Sequence, residues 1–261
     1  MSQFLSSLPI WLSLLVVVVV PTAAATCGPI LIRRRIKLEH LAANNEVAGF
    51  KFAVIGVVYA VLLGFAVIVV WEKFRDAESA VVQEASGVIA LSRLSDGLEK
   101  NVAADVHQHL ARYVEAAIAA DWPAMAQGAS SPEVGQLLSE LYRSVLAVMP
   151  NNARESAIMA AMLNELDVIT DGRRARLELA AGIVPGVLWA VLVAGAVITL
   201  TFTFFFGARS VGAQAMMSGM LAAITFMALY VVVEVEHPFT GPVSVDAQPL
   251  QTALASFLAP R

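Results

Sequence analysis

Residues 52–71 read FAVIGVVYAVLLGFAVIVVW, a run without one charged side chain, and its reading decides the fold. About 20 apolar residues in helical form cross the hydrocarbon core of a bilayer. No water is available there for unpaired backbone N–H and C=O groups, so such a run must be a helix that satisfies its own. Three further runs share this character: Leu8–Ile32, Ile183–Phe206 and Val211–Val233. The turn Gly207-Ala208-Arg209-Ser210 is short enough to fold the last two into an antiparallel hairpin. Composition agrees, since only 15% of the 261 residues are charged against about 25% in a soluble chain. Mean hydropathy is +0.73.

The first run has a rival reading as a cleaved signal peptide, with Ala23-Ala24-Ala25 as a small-residue cleavage site. Residues 1–10 hold no Lys or Arg, however, and the apolar stretch continues past Ala25 to Ile32. It is therefore read as a retained span. Net charge is −4, which gives no footing for a nucleic-acid partner. The single cysteine, Cys27, excludes an intramolecular disulfide and a zinc cluster of several cysteines.

These runs divide the chain into spans one and two (1–71), an extramembrane segment (72–180), the span three–four hairpin (181–236) and a tail (237–261). The fold class expected is an all-α membrane protein, with four transmembrane helices and a soluble four-helix bundle inserted between the second and third. From Glu72 no Pro or turn cluster intervenes before Gly87, so span two is expected to continue outward. Val81, Val88, Leu91 and Leu98 give that helix one apolar face. A second helix over about 102–120 carries Val106, Leu110, Tyr113, Val114 and Ala117, and Asp121-Trp122-Pro123 is read as its end. Pro132 and Glu133 open a third, as Pro and an acid suit a first turn. The fourth, from about Ala153, carries Ile158, Met162, Leu166, Ile169 and Leu177 and is expected to run into span three.

Charge near the span ends sets orientation. Arg33, Arg34, Arg35 and Lys37 follow span one, and Lys51 precedes span two, which places that loop in the cytoplasm. Residues 72–180 then lie outside, periplasmic in a bacterial inner membrane. They hold 10 Lys and Arg against 16 Asp and Glu, a net of −6 that suits an external segment. Arg173, Arg174 and Arg176, just before span three, pull the other way.

Few polar groups fall within the spans. Glu72, Glu234 and Glu236 sit at the membrane boundary and are read as solvated acids, although intramembrane acids are by default functional candidates. Thr199 and Thr203 share a helix face at i and i+4, and Gln214 lies a turn inside span four. These three are pore-lining candidates in an oligomer. The alternatives are bonding of the hydroxyls to their own helix and packing of the amide between helices. Gly56, Ala60 and Gly64, with Ala215, Gly219 and Ala223, allow close helix approach. His107 and His109 are two apart and point in different directions on a helix, so no metal site is expected. No cofactor-binding glycine motif and no catalytic constellation is present, so the chain is not expected to be an enzyme.

The sequence resembles a bacterial family called bestrophin-like. The matching features are Glu46-Val47-Ala48-Gly49 before span two, Tyr59-Ala60-Val61-Leu62-Leu63-Gly64 within it and Trp71-Glu72 at its end. Glu84-Ala85, Asp121-Trp122, Pro185 with Trp189, and His237-Pro238-Phe239-Thr240-Gly241-Pro242 complete the set. The resemblance implies kinship with bestrophins, pentameric anion channels with four membrane helices per subunit and a helical domain after the second. Bestrophins keep that domain in the cytoplasm, whereas the loop charges here place it outside. The chain carries no run of aromatic neck residues comparable to a bestrophin pore. The function expected is a homo-oligomeric ion channel or channel-like protein, its ion left open, with anion implied by the resemblance only. The alternative is a non-conducting sensor or scaffold whose helical domain binds a partner or ligand. The partners expected are the lipid bilayer, further copies of the chain and an ion.

Overall fold

The structure is a computed structural model that describes residues 8–182 and 184–258. Ile183, the expected first residue of span three, and the last three residues of the tail lie outside the described residues. Among the described residues there is no β-strand. Four helices are long and apolar enough to cross a membrane: α1 (Ile10–Arg35), α3 (Asn45–Ser95), α7 (Gly186–Phe204) and α8 (Val211–Val235). They coincide with the four apolar runs. A short helix, α2 (Leu38–Ala42), lies between the first two.

The chain divides into two compact units, one of residues 1–72 and 183–236 and one of residues 73–182 and 237–261. In the first unit, small residues let helices touch. A Cβ added at Gly219 on α8 would lie 2.5 Å from Thr26 Oγ1 on α1, and one at Gly195 on α7 would lie 2.5 Å from the Tyr59 ring on α3. Ala25, Leu200 and Ala222 are buried together where α1, α7 and α8 meet. α1 passes through Pro21 and Pro29 without a break, and its turn at Leu15–Val19 is π-helical. Widening by one residue absorbs the backbone groups that a proline four positions on leaves unpaired.

The second unit is built from the outer part of α3, α4 (Lys100–Ala116), α5 (Pro132–Leu146), α6 (Ala153–Ala180) and α9 (Gln248–Leu258). Val88, Leu91, Val106, Leu110, Tyr113, Leu141, Leu166 and Ile169 form its core, and Leu250 and Ala253 of α9 belong to it. The stretch 237–261, read from sequence only as a tail, thus contributes a core helix. Asn152 caps α6 by accepting from the Glu155 backbone N–H at 2.9 Å, while the Glu155 carboxylate accepts from the Asn151 N–H, a reciprocal cap.

Two expectations about helix ends are corrected. Asp121-Trp122-Pro123 does not end the second helix of this unit: α4 passes through a π-helical turn, Ala117–Asp121, into a further helical turn, Trp122–Met125. Pro123 lies just past the π-helical turn, whose widening accommodates the carbonyl that its missing N–H leaves unpaired. Nor does α6 run into span three. It stops at Ala180, Gly182 takes φ +100°, and Pro185 precedes α7. Of the two expected continuities, only that of span two holds, as the 51-residue helix α3.

Candidate functional site

The hairpin between α7 and α8 gathers the polar groups of the first unit. The Ser210 hydroxyl caps α8 by accepting from the Ala213 N–H. Gln214, one turn on, donates through Nε2 to the carbonyls of Thr203, Phe204 and Phe206, so its amide closes the carbonyl end of α7. Thr203 donates to Leu200 O at 2.6 Å and meets the Ser218 hydroxyl at 3.1 Å. Asn45 clamps the turn from α3: its Nδ2 donates to Gly207 O at 2.8 Å and its Oδ1 accepts from Gly207 N at 2.9 Å. Gly207 is glycine because a Cβ there would collide with the backbone of Leu41 and Ala42. Asn45, Thr203, Gly207, Gln214 and Ser218 line a cavity of about 390 Å³ together with Phe52 and Phe206.

Thr199 is not part of that group. It lines a second cavity of about 400 Å³ with Tyr59, between α3 and α7. Both hydroxyls are buried and lack a hydrogen-bond partner. Of the three pore-lining candidates, the structure therefore brings Thr203 and Gln214 together and leaves Thr199 apart. The i, i+4 relation places both threonines on one helix face, yet different neighbours cover the two turns.

Around the opposite ends of the same spans, Ser13 donates to Glu234 at 2.8 Å and contacts the Tyr230 hydroxyl at 3.2 Å. Trp189 donates to Glu236 at 2.9 Å. An apolar cavity of about 510 Å³, lined by Trp189, Phe226, Leu229 and Val233, has Glu236 on its wall. Glu234 and Glu236 are only 4% and 3% exposed, so solvation does not describe them; Glu72 is exposed. Sequence position put all three just past a span end, but α8 runs to Val235 and α1 and α7 cover its last turn. Arg33, Arg34 and Arg35 form the last turn of α1, and Lys37 precedes α2.

The second unit holds a buried ionic cluster that the sequence reading did not single out. Arg176 pairs with Glu84 and with Asp121, and Arg173 pairs with Asp121 at 2.9 Å. Tyr113 donates to Glu84 at 2.6 Å, and the Arg176 guanidinium stands 4.9 Å from the Trp122 ring centroid. Burial, and then the Glu84 carboxylate, push the Tyr113 hydroxyl well above its ordinary value. Burial works against the charge of Arg176, but Glu84, Tyr113 and Asp121 together outweigh it and hold the guanidinium above its usual range. Two acids and two arginines balance, and the cluster braces α3 and α6 against the turn that holds Asp121. Its signal was a charged residue inside an apolar stripe: Glu84 lies three after Val81, and Arg176 seven after Ile169. Among the described residues no three His, Cys, Asp or Glu side chains are grouped to hold a metal ion.

The bestrophin-like domain model matches residues 19–250. The chain belongs to the bestrophin-like family. Its fold is shared with solved bacterial proteins. A bacterial bestrophin homologue from Klebsiella pneumoniae is 14% identical with TM-score 0.70, covering 94% of this chain and 99% of its own. A second structure of the Klebsiella homologue is 16% identical with TM-score 0.69, over 92% of this chain and 97% of that one. A further structure, described as a membrane protein, is 15% identical with TM-score 0.73 and similar coverage, 92% and 97%. None of the curated proteins matches the chain. At such identities the likeness is one of fold, and the bestrophin-like assignment rests on the domain match over most of the chain.

Proposed function

We propose that the chain is one subunit of a homo-oligomeric, channel-like protein of the bacterial inner membrane that passes small ions. The observation that carries this reading is the match of the bestrophin-like domain to a chain with four helices of spanning length. Residues 72–180 form its soluble four-helix bundle, inserted between spans two and three. Purified protein reconstituted into vesicles is expected to dissipate an ion gradient, and chemical cross-linking to show one discrete oligomer. Absence of flux for any small ion, together with a monomer in detergent, overturns the proposal.

The inserted bundle is proposed to lie in the periplasm. Arg33, Arg34, Arg35, Lys37 and Lys51 cluster in the loop between spans one and two, five basic residues against the three, Arg173, Arg174 and Arg176, that precede span three. A reporter fused after Arg261 that is active only outside the cytoplasm is expected; cytoplasmic activity reverses the orientation.

A second reading, a non-conducting sensor or scaffold, is favoured by one observation. Thr203 and Gln214, candidates to line a pore, are engaged in hydrogen bonds within a single chain. Under that reading α3, unbroken from Asn45 to Ser95, would carry movement. A discrete oligomer without flux would select it.

A further inference from the structure

One end of the spans gathers positive charge that the chain does not pair. Arg33, Arg34 and Arg35 close α1, Lys37 precedes α2, and Lys51 stands in the second turn of α3. The α7–α8 turn brings Arg209 to the same end, because Asn45 bonds Gly207 and a Cβ at Gly207 would strike the backbone of Leu41 and Ala42. Among the described residues none of these six is in an ion pair. Arg33 is half-buried, with Nη1 lacking a hydrogen-bond partner, and the other five are exposed.

Helix dipoles account for only part of this gathering. The three arginines suit the carbonyl end of α1, and the two acids at this end, Glu39 and Glu46, suit the first turns of α2 and α3. Lys51 and Arg209 stand near the amide ends of α3 and α8, where a cation gains nothing from the dipole. Six bases against two acids leave a positive rim, whose complement is an anion. The apolar surface beside the rim selects which anion. Phe50, next to Lys51, is 75% exposed, Leu31 on α1 is 58% exposed and Phe205 at the end of α7 is 47% exposed. A free phosphate has no use for such surface, whereas a phospholipid brings a phosphate and acyl chains together.

We propose that this end of the spans selectively binds anionic phospholipid, the rim taking the phosphate and the exposed apolar residues beside it taking the acyl chains. The assignment depends neither on which side of the membrane this end faces nor on conduction.

The test is heat denaturation of the purified full chain in neutral detergent, with added phosphatidylglycerol or phosphatidylcholine of the same acyl chains. Phosphatidylglycerol is expected to raise the melting temperature saturably at concentrations where phosphatidylcholine does not. The effect should shrink at about 1 M salt, where charges are screened beyond about 3 Å. Arg34→Gln combined with Arg35→Gln should raise the half-saturating concentration by about tenfold or more, since each base near an anionic lipid surface contributes about fivefold. Lys100→Gln combined with Arg154→Gln removes the same charge from exposed positions of the second unit and should leave that concentration unchanged. Inorganic phosphate should not reproduce the stabilisation. Should the Arg34 and Arg35 variant fail to fold, native mass spectrometry of the unaltered chain, equilibrated with an equimolar mixture of the two lipids, is expected to show phosphatidylglycerol retained in excess. Equal stabilisation or equal retention of the two lipids, equal weakening in the two double variants, or the same stabilisation by inorganic phosphate each overturns the assignment. Selective binding without vesicle flux would defeat the channel reading alone. Flux without lipid selectivity would defeat this assignment alone.

Discussion

Arg176 on α6 and Glu84 on α3, 92 positions apart, form a fully buried pair in which Nε lies 2.5 Å from Oε2 and Nη2 lies 3.1 Å from Oε1. Gly172 makes the approach possible, since a Cβ there would stand 2.9 Å from the Glu84 backbone nitrogen. Removing one member leaves the other charge buried, which costs about 3–5 kcal/mol. Arg176→Met and Glu84→Gln are each expected to lower stability by that order in heat denaturation. The double variant should lose much less than the two losses added, because it removes both members and leaves neither charge without the other. Additive losses would show that the pair is not coupled.

Tyr113 gives the second unit a response to alkali. Its hydroxyl keeps its proton in the folded chain at pH values where the unfolded chain, with the ordinary value of 10.0, has lost it. Unfolding then releases a proton, so stability falls as pH climbs past about 10. Tyr113→Phe should flatten the melting profile between about pH 9 and pH 11. At neutral pH the same variant is expected to be less stable by about 1.5–3 kcal/mol, having lost a bond to the Glu84 carboxylate. An unchanged alkaline slope would assign that response elsewhere, with Tyr142 the next group whose value is raised by burial.

The spans were legible because lipid leaves the backbone only one solution, so length and absence of charge suffice. The helix ends were less so. Whether Trp122-Pro123 stops α4 depends on a π-helical turn at Ala117–Asp121 that no residue pattern announces. Leu250, Ala253, Leu254 and Phe257 do follow a helical period, but eleven residues after a proline-rich turn give little periodic signal until a core is there to receive them. For the candidate site, Thr203 and Gln214 could be picked out as polar groups in apolar helices. That Gln214 spends its donors on the end of α7 and the turn after it could not be read, because it depends on the carbonyls of Thr203, Phe204 and Phe206, which reach it only once the hairpin has folded.

Glycines separate contacts inside the chain from contacts outside it. An added Cβ at Gly195 or Gly219 collides with Tyr59 or Thr26, whereas at Gly56 and Gly64 nothing lies within 4 Å. Gly219→Ala is expected to destabilise the chain by about 1–3 kcal/mol through overpacking. Gly56→Leu and Gly64→Leu should leave its melting in detergent nearly unchanged. Should they nevertheless shift the cross-linked oligomer to smaller species, that face of α3 packs against another copy. An oligomer unaffected by both substitutions leaves the face to lipid.

Glu234 is a buried carboxylate with incomplete support. Ser13 donates to one oxygen and the Tyr230 hydroxyl interacts with the group, while Oε2 is buried without a hydrogen-bond partner. A buried charge with half its acceptor capacity unmet is costly, and an amide retains the oxygen that Ser13 needs. Glu234→Gln is therefore expected to melt at or above the parent's temperature, whereas Glu234→Ala, which strands Ser13 and opens a void, should lose about 1–3 kcal/mol. Comparing the two by heat denaturation at neutral pH decides the matter. A clear loss of stability in Glu234→Gln would mean that the charge at this position is itself required by the fold.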